Sequence, residues 1–556
     1  MDFKFRSILL TLGISVFALT SKAQPIAVQQ SLPAVEKAAT YTISGYTSKQ
    51  FDAMDNAPTK YNQILNVGRL LSSQITLQNG GQWNATPTGR IWRLKIKADD
   101  AKGISLLGKV KYMPKGAKLN FYNADGSEWV SKYDAKDFTT HNILSTDAVA
   151  GEEAILEYYE PKGTKQTADI IIERIGYMYR EEIRANSFQR KSFGTSGNCQ
   201  VNVNCPEGDD WDDQKKAVVR MRVVRDFVIG WCTGTLVRTT DKAYKPYLLS
   251  AMHCALTPAE DTVIHDTMFN YWRFTFNYEA PTCANPISEG NLADQTIVGA
   301  KVLAHSDDLG GEFGSDFLLL NLSTIVPSEY KAYYAGWNLD TVRQYDSGVC
   351  IHHPDGDIKK ISTYKWPLSF DEPFSTSPPN THWEVIWSST GNGHGTTEPG
   401  SSGAPLFDDG GLIVGTLTGG NSKCSNTSGT DLFGRIDWHF TRNGNDSLTQ
   451  LKYWLDPENT GVTSFQGSYD ELRSVVTPKV IPLKLYPNPA NDYIAIENDV
   501  LVSSKTKVQI IDAIGKQYAV TVSDINRINV SGLPVGVYFV TITSGRNYFS
   551  GRFIKQ

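Results

Sequence analysis

No cysteine lies before position 199 or after position 424, so a disulfide-stapled domain is confined to the middle of the chain. Cys-x-x-Cys is absent. Apart from the adjacent pair His352–His353, the histidines lack zinc-type spacing. Nothing in the residues calls for a metal or another cofactor. Strong charge is missing too: the net charge is −5 and there is no basic stripe, which argues against a nucleic-acid partner. Strands do not alternate with helical patterns, which removes the parallel α/β folds. Past the first two dozen residues, no run is long and apolar enough to cross a bilayer. With 40% hydrophobic and 11% aromatic residues, most of the chain has the material for packed cores rather than disorder.

The 556 residues exceed one ordinary core, so two to four domains are expected. The N-terminus reads as a secretory signal over residues 1–23. Lys4 and Arg6 precede "ILLTLGISVFAL", and "SKA" supplies small residues before a cut between Ala23 and Gln24. Residues 24–191 carry short alternating runs such as "IWRLKIKA", read as strands. They end in "REEIRANSFQRKSFGTSGNC", the composition of an exposed, cleavable junction. Residues 192–468 are again strand-rich, suited to an antiparallel barrel or sandwich, and hold all seven cysteines, an odd number that leaves at least one thiol free. The spacing of Leu448, Leu451, Trp454 and Leu455 predicts a short amphipathic helix over 448–457, stopped before Pro457. A connector over 469–481 leads to a small β-sandwich over 482–556.

Three stretches of the middle domain carry chemistry. "CTGTLV…YLLSAMHC" places His253 at the end of an apolar strand between two cysteines. "GSDFLLLNL" places Asp316 just before another strand, and "EPGSSGAPLF" places Ser402 in a Gly-x-Ser-Gly turn. Singly, each has a bland reading: a structural hydrogen-bonding histidine, a turn aspartate, a Gly/Ser turn. The order His…Asp…Ser on one β-rich domain favours catalysis. A serine hydroxyl needs a base to become nucleophilic, histidine titrates near neutrality, and a buried carboxylate orients the imidazole. Glycines beside Ser402 permit a tight turn that aims the N–H groups of Gly400 and Ser402 at one point, as an oxyanion hole.

These motifs, with "SGNCQVNVNCPEGD", "YYAGWN", "IHHPDGDIKKIS", "GGNSKC", "TDLFGRI" and "WLDPENTG", give residues 194–461 a resemblance to the bacterial lysyl endopeptidases, secreted relatives of the trypsin-like serine peptidases. The resemblance implies a mainly β chain: a two-barrel trypsin-like peptidase domain, a β-rich propeptide before it and a small β-sandwich after it. It implies the triad His253, Asp316 and Ser402. It implies the disulfides Cys199–Cys424, Cys205–Cys283 and Cys232–Cys254, with Cys350 unpaired. It puts Asp431 at the base of a pocket for a lysine side chain, and Leu417, Thr418 and Gly419 along the substrate backbone. One departure stands out. The family carries a histidine where Thr418 stands, stacked on a tryptophan that aligns near Pro373; both aromatics are missing here. An enzyme cutting after lysine would free its own propeptide at Lys191, with Arg190 and Arg184 as the neighbouring alternatives.

The tail, from "LYPNPANDYIAIEN" through "VGVYFV" to the terminal "GRFIKQ", resembles the sorting domains of the type IX secretion system. That implies passage through the periplasm and outer membrane, handling by the secretion machinery, and release or attachment at the cell surface. Protein and peptide substrates are the expected partners. The competing readings are an adhesin built on an inactive peptidase fold, an active peptidase of other primary specificity and, for the tail, an accessory binding domain.

Overall fold

A computed structural model of the chain describes residues 38–55, 64–126, 129–138, 141–180, 195–258, 263, 266–286, 292, 295–470, 480–496, 507–513, 515–518, 522–524, 527–544 and 547–556. The signal segment, the junction around Lys191 and most of the 469–481 connector lie outside these residues. The chain divides into two units, Met1–Asp470 and Glu471–Gln556. Almost all regular structure is strand. Among the described residues, no helix is long and apolar enough to cross a membrane.

The first barrel of the larger unit follows from "VVRMRVVR". At a period of two, Val219, Met221 and Val223 point into the barrel core, while Arg220 and Arg222 point out. Strand Val218–Arg225 pairs with Val228–Leu236 on one side and Arg273–Phe276 on the other. The ring continues through Tyr247–Ser250, Leu318–Leu322 and Ala300–His305. It closes because Ala300–His305 runs on from Thr296–Val298, which pairs with Arg273–Phe276. Gly299, at φ +90°, makes the kink between those two segments. The unbroken apolar run "FLLLNL" reflects burial on both faces. Leu318, Leu320 and Leu322 fill this barrel, while Phe317 and Leu319 join a core shared with the second.

In the second barrel, Lys360–Tyr364, Gly348–His352, Pro405–Asp408, Ile413–Gly420, Thr430–Arg435 and His382–Ile386 are neighbours in that order. The Ser388 N–H donates to the Thr363 carbonyl (2.8 Å) and closes the ring. The predicted helix over 448–457 shrinks to the single turn Lys452–Leu455. Leu451 and Leu455 are buried as the spacing predicts, but Leu448 is exposed. The Asp446 carboxylate accepts the N–H groups of Leu448 and Thr449, so a turn forms where helix was expected.

Residues 39–178 build a sheet of their own and also extend the first barrel. Strand Leu65–Thr76 pairs with Val228–Leu236 from Arg69↔Val228 to Leu65↔Trp231, so one sheet runs from the N-terminal region into the barrel. Side chains reinforce this seam. The Asp147 carboxylate takes Arg273 (2.6 Å) and lies 3.7 Å from Arg222, and both guanidinium groups are buried. Arg222 also donates to the Thr146 carbonyl, and Arg225 to Asn66. An Asp147→Asn substitution leaves two buried cations without their carboxylate. It should lower the unfolding free energy by about 3 kcal/mol in urea titrations of the full chain.

The smaller unit has two sheets. One contains the long hairpin Gly536–Ser544 with Asn547–Lys555; the other centres on Tyr493–Ile496 and Arg527–Asn529. Ile494, Ile510, Ile528, Val540, Ile542 and Phe553 form its core, without help from any disulfide.

Candidate active site

The first barrel supplies His253 and Asp316, and the second supplies Ser402. His253 lies in the turn Met252–Ala255 at the end of strand Tyr247–Ser250. The disulfide Cys232–Cys254 ties that turn to the neighbouring strand. The His253 Nδ1 is 2.7 Å from the Asp316 Oδ2, and the His253 backbone N–H donates to Oδ1 (3.0 Å). Both residues are buried. Asp316 sits at φ +60°, a left-handed conformation that costs a non-glycine residue about 1–2 kcal/mol. Its carboxylate and its N–H are all hydrogen-bonded, which offsets that cost. Burial alone would raise the Asp316 carboxyl, but the His253 ring and N–H hold it below the usual carboxylate range. The His253 Nε2 is buried and has no hydrogen-bond partner among the described residues.

The turn bearing Ser402 is pinned from both barrels. The Thr233 N–H donates to the Ser402 carbonyl (2.8 Å), and its hydroxyl donates to the Gly400 carbonyl (3.0 Å). The Gly403 N–H donates to the Leu417 carbonyl, and the Leu417 N–H to that of Ala404. Gly400 and Gly403 adopt φ of +98° and +80°. A Cβ on Gly403 would stand 2.1 Å from the Ser250 Oγ, so this approach requires glycine. The N–H groups of Ser401, Gly403 and Ala404 all have acceptors, whereas among the described residues those of Gly400 and Ser402 have none.

Ser401 contributes its side chain as well as its backbone. Its Oγ is 2.7 Å from the His352 Nδ1, and the His352 Nε2 is 3.1 Å from the Ser362 hydroxyl. Burial, with Lys360 nearby, pushes His352 down to about 3. Burial likewise pushes His439 to about 3 and His382 to about 4, so these rings are neutral. They serve hydroxyl groups: His439 lies between Ser315 and Thr416, His382 between Thr381 and Thr418. Among the described histidines, His253 is the one whose ring nitrogen meets a carboxylate within hydrogen-bond distance.

Asp431 is buried in strand Thr430–Arg435. Its Oδ2 accepts Trp387 Nε1–H (2.6 Å) and the hydroxyls of Thr397 (2.6 Å) and Ser422 (2.5 Å). Burial pushes its carboxyl above the usual range, against the pull of these donors. All of them are neutral, and none of the ion pairs among the described residues involves Asp431. A Cβ on Gly420 would stand 2.2 Å from the Asp431 Oδ1, so that oxygen lies against the end of strand Ile413–Gly420. In this strand the ladder with Pro405–Asp408 ends at Thr416, and Leu417 continues it by bonding to Gly403 and Ala404. Thr418 is the bulged residue in the other pairing. Its hydroxyl lies 2.9 Å from the His382 Nε2, and it flanks Gly311 together with Pro373.

The three disulfides are Cys199–Cys424, Cys205–Cys283 and Cys232–Cys254, and Cys350 is a buried free thiol. Sequence reasoning passed over Asp308, His352, His382, Trp387 and Thr397. Only the adjacent pair His352–His353 left any signal, and that signal pointed at metal.

Two family models match the larger unit: the lysyl endopeptidase N-terminal domain over residues 41–179 and the lysyl endopeptidase C-terminal domain over residues 193–434. The chain is a lysyl endopeptidase-like serine endopeptidase. A third model, the secretion system C-terminal sorting domain, matches residues 484–556. The endopeptidase is therefore exported by the type IX route and is secreted or attached to the cell surface, and its tail engages the secretion machinery. A lysyl endopeptidase of Pseudomonas aeruginosa is 26% identical over 360 residues, covering 62% of this chain and 72% of the relative. Among solved structures, a Glu endopeptidase matches at 14% identity and a TM-score of 0.27, covering 44% of this chain and 92% of that one. Rv3671c of Mycobacterium tuberculosis matches at 12% identity and a TM-score of 0.25, covering 40% and 83%. The two-barrel reading rests on the strand pairings above rather than on these scores.

Proposed function

We propose that the endopeptidase cuts peptide bonds on the carboxyl side of lysine through a Ser402–His253–Asp316 triad and an acyl-enzyme. The observation that carries this reading is the buried His253–Asp316 pair, with an unpartnered Nε2, next in the chain to Cys254, whose Sγ lies 3.8 Å from the carbonyl of Ser402 in a turn that keeps two N–H groups free of acceptors. Ser402 attacks the scissile carbonyl as His253 takes its proton. Asp316 holds the ring in the tautomer that leaves Nε2 able to accept, and stabilises the imidazolium. The N–H groups of Gly400 and Ser402 bind the oxyanion. His253 then protonates the departing amine, and water releases the acyl group by the same steps in reverse. The substrate backbone lies along Leu417, Thr418 and Gly419 as an added strand.

Lysine preference rests on Asp431, a buried carboxylate with neutral donors and no cation of its own. An ammonium group entering the pocket supplies the missing charge. We further propose that residues 24–191 are a propeptide, freed by a cut at Lys191. Residues 192–468 form the peptidase domain, and 469–481 link it to the sorting domain.

Three measurements test the reading. A fluorophosphonate probe should label the processed enzyme at Ser402; absence of label would leave an inactive scaffold. A peptide-library digest read by mass spectrometry should show cuts after lysine. Asp431→Asn should lower kcat/KM on lysyl substrates roughly 100-fold, the loss of about 3 kcal/mol expected when a buried charge partner is removed. Unchanged lysyl cleavage in that variant would place the pocket base elsewhere.

A further inference from the structure

Asp308 is buried eight residues before Asp316, and the mechanism above leaves it unused. Its carboxylate is spent mostly on backbone, with the Ser306 side chain as a further partner. Oδ1 accepts the N–H groups of Gly310 and Gly311 (both 3.1 Å), and Oδ2 accepts the N–H of Asp316 (2.7 Å). The chain winds around it through Leu309, Gly310 and Gly311, all at positive φ, and reaches Asp316 in the same unusual conformation. The loop also meets the other member of the dyad. A Cβ on Gly310 would stand 2.8 Å from the His253 Cβ, so the backbone there lies directly against the histidine. The Asp308 N–H points to the Sδ of Met252, the residue preceding His253 (3.3 Å). On the outer side, the Ser377 hydroxyl donates to the Gly311 carbonyl and anchors the loop.

We propose that Asp308 is a positioning residue for the catalytic dyad, fixing the backbone of Asp316 by one hydrogen bond and the place of His253 through Gly310. The proposal rests on the triad reading. A neutral acceptor at this position would hold the Asp316 backbone less tightly. The carboxylate serves better, because charge-assisted bonds to N–H groups are about twice as strong as neutral ones. Burial, and after it the neighbouring Asp316 carboxylate, push Asp308 up to about 6.

Asp308→Asn is the selective test. An asparagine can accept through one atom only. Facing its oxygen to Gly310 and Gly311 keeps two bonds, so its NH₂ group turns to the Asp316 N–H, and that bond is lost. With a peptide amide that the unmodified enzyme cleaves, kcat should fall about 10- to 100-fold, the penalty of misplacing reacting groups by a fraction of an ångström to 1 Å. KM should stay within about twofold, with a lowered melting temperature because the buried Asp316 N–H loses its acceptor. Unaltered kcat, or a KM that rises as steeply as kcat falls, overturns the proposal. Should the variant not fold, Gly310→Ala decides. It leaves Asp308 in place and presses on His253, and it should show the same split between kcat and KM; unaltered kcat there also overturns the proposal. Ser402→Ala is the control. If Ser402→Ala remains active, the triad reading has failed; if it is inactive while Asp308→Asn retains full kcat, only the role of Asp308 has failed.

Discussion

Ser402→Ala is expected to lower kcat on peptide amides by about 10⁶-fold while leaving KM nearly unchanged. The reason is local. Ser402 is held by its backbone, through Thr233 on one side and the Gly403–Leu417 pair on the other, and its hydroxyl is not needed to shape the turn. Removing one oxygen therefore deletes the nucleophile and keeps the oxyanion donors and the substrate strand. Residual activity of about 10³- to 10⁴-fold over water should persist from those donors and from binding. The measurement is single-turnover hydrolysis of a lysyl amide by protein freed of contaminating protease. Turnover at the unmodified rate would end the proposal that Ser402 is the nucleophile.

Asp316→Asn should lower kcat by about 10⁴-fold, by a different route. Asp316 makes two bonds to one residue: Oδ1 to the His253 N–H and Oδ2 to Nδ1. Asparagine can keep the first with its carbonyl oxygen. Its NH₂ group then faces Nδ1, which must turn acceptor. The ring proton moves to Nε2, the atom that has to receive the serine proton. Geometry is preserved and the tautomer is wrong. Because the fold is intact, fluorophosphonate labelling should slow in step with kcat, while competitive inhibitors that occupy the pocket bind as before. A variant whose inhibitor affinity collapses together with kcat would show damage to the cleft rather than to the histidine.

The residues of the proposed triad are legible because each is written into a short local pattern: an apolar strand ending in His253, a Ser-Asp step into "FLLLNL", and a serine between glycines. Their supports are not. Asp308 reads as an ordinary loop acid, and its role appears only when the loop folds back on it. His352 and His382 reach their hydroxyl partners across strands far apart in sequence. Trp387 and Thr397 converge on Asp431 from outside its strand, and no period of two or 3.6 records such a meeting. The helix over 448–457 was overdrawn for a related reason. Spacing reports which residues face a core, and Leu451 and Leu455 do; it does not report that the Asp446 side chain captures the N–H groups of the first turn.

The shared sheet between the N-terminal region and the first barrel bears on how the chain folds. Leu65–Arg69 and Val228–Trp231 pair across one bulge although far apart in sequence, and such non-local pairing is slow to form. The ribosome delivers the N-terminal strands first, and strand Leu65–Thr76 then offers a ready edge on which Val228–Leu236 can zip. Under the proposed cut at Lys191, a peptidase domain that unfolds has no tethered edge to nucleate on. Its lifetime outside the cell is then set by the height of its unfolding barrier rather than by an equilibrium it can revisit.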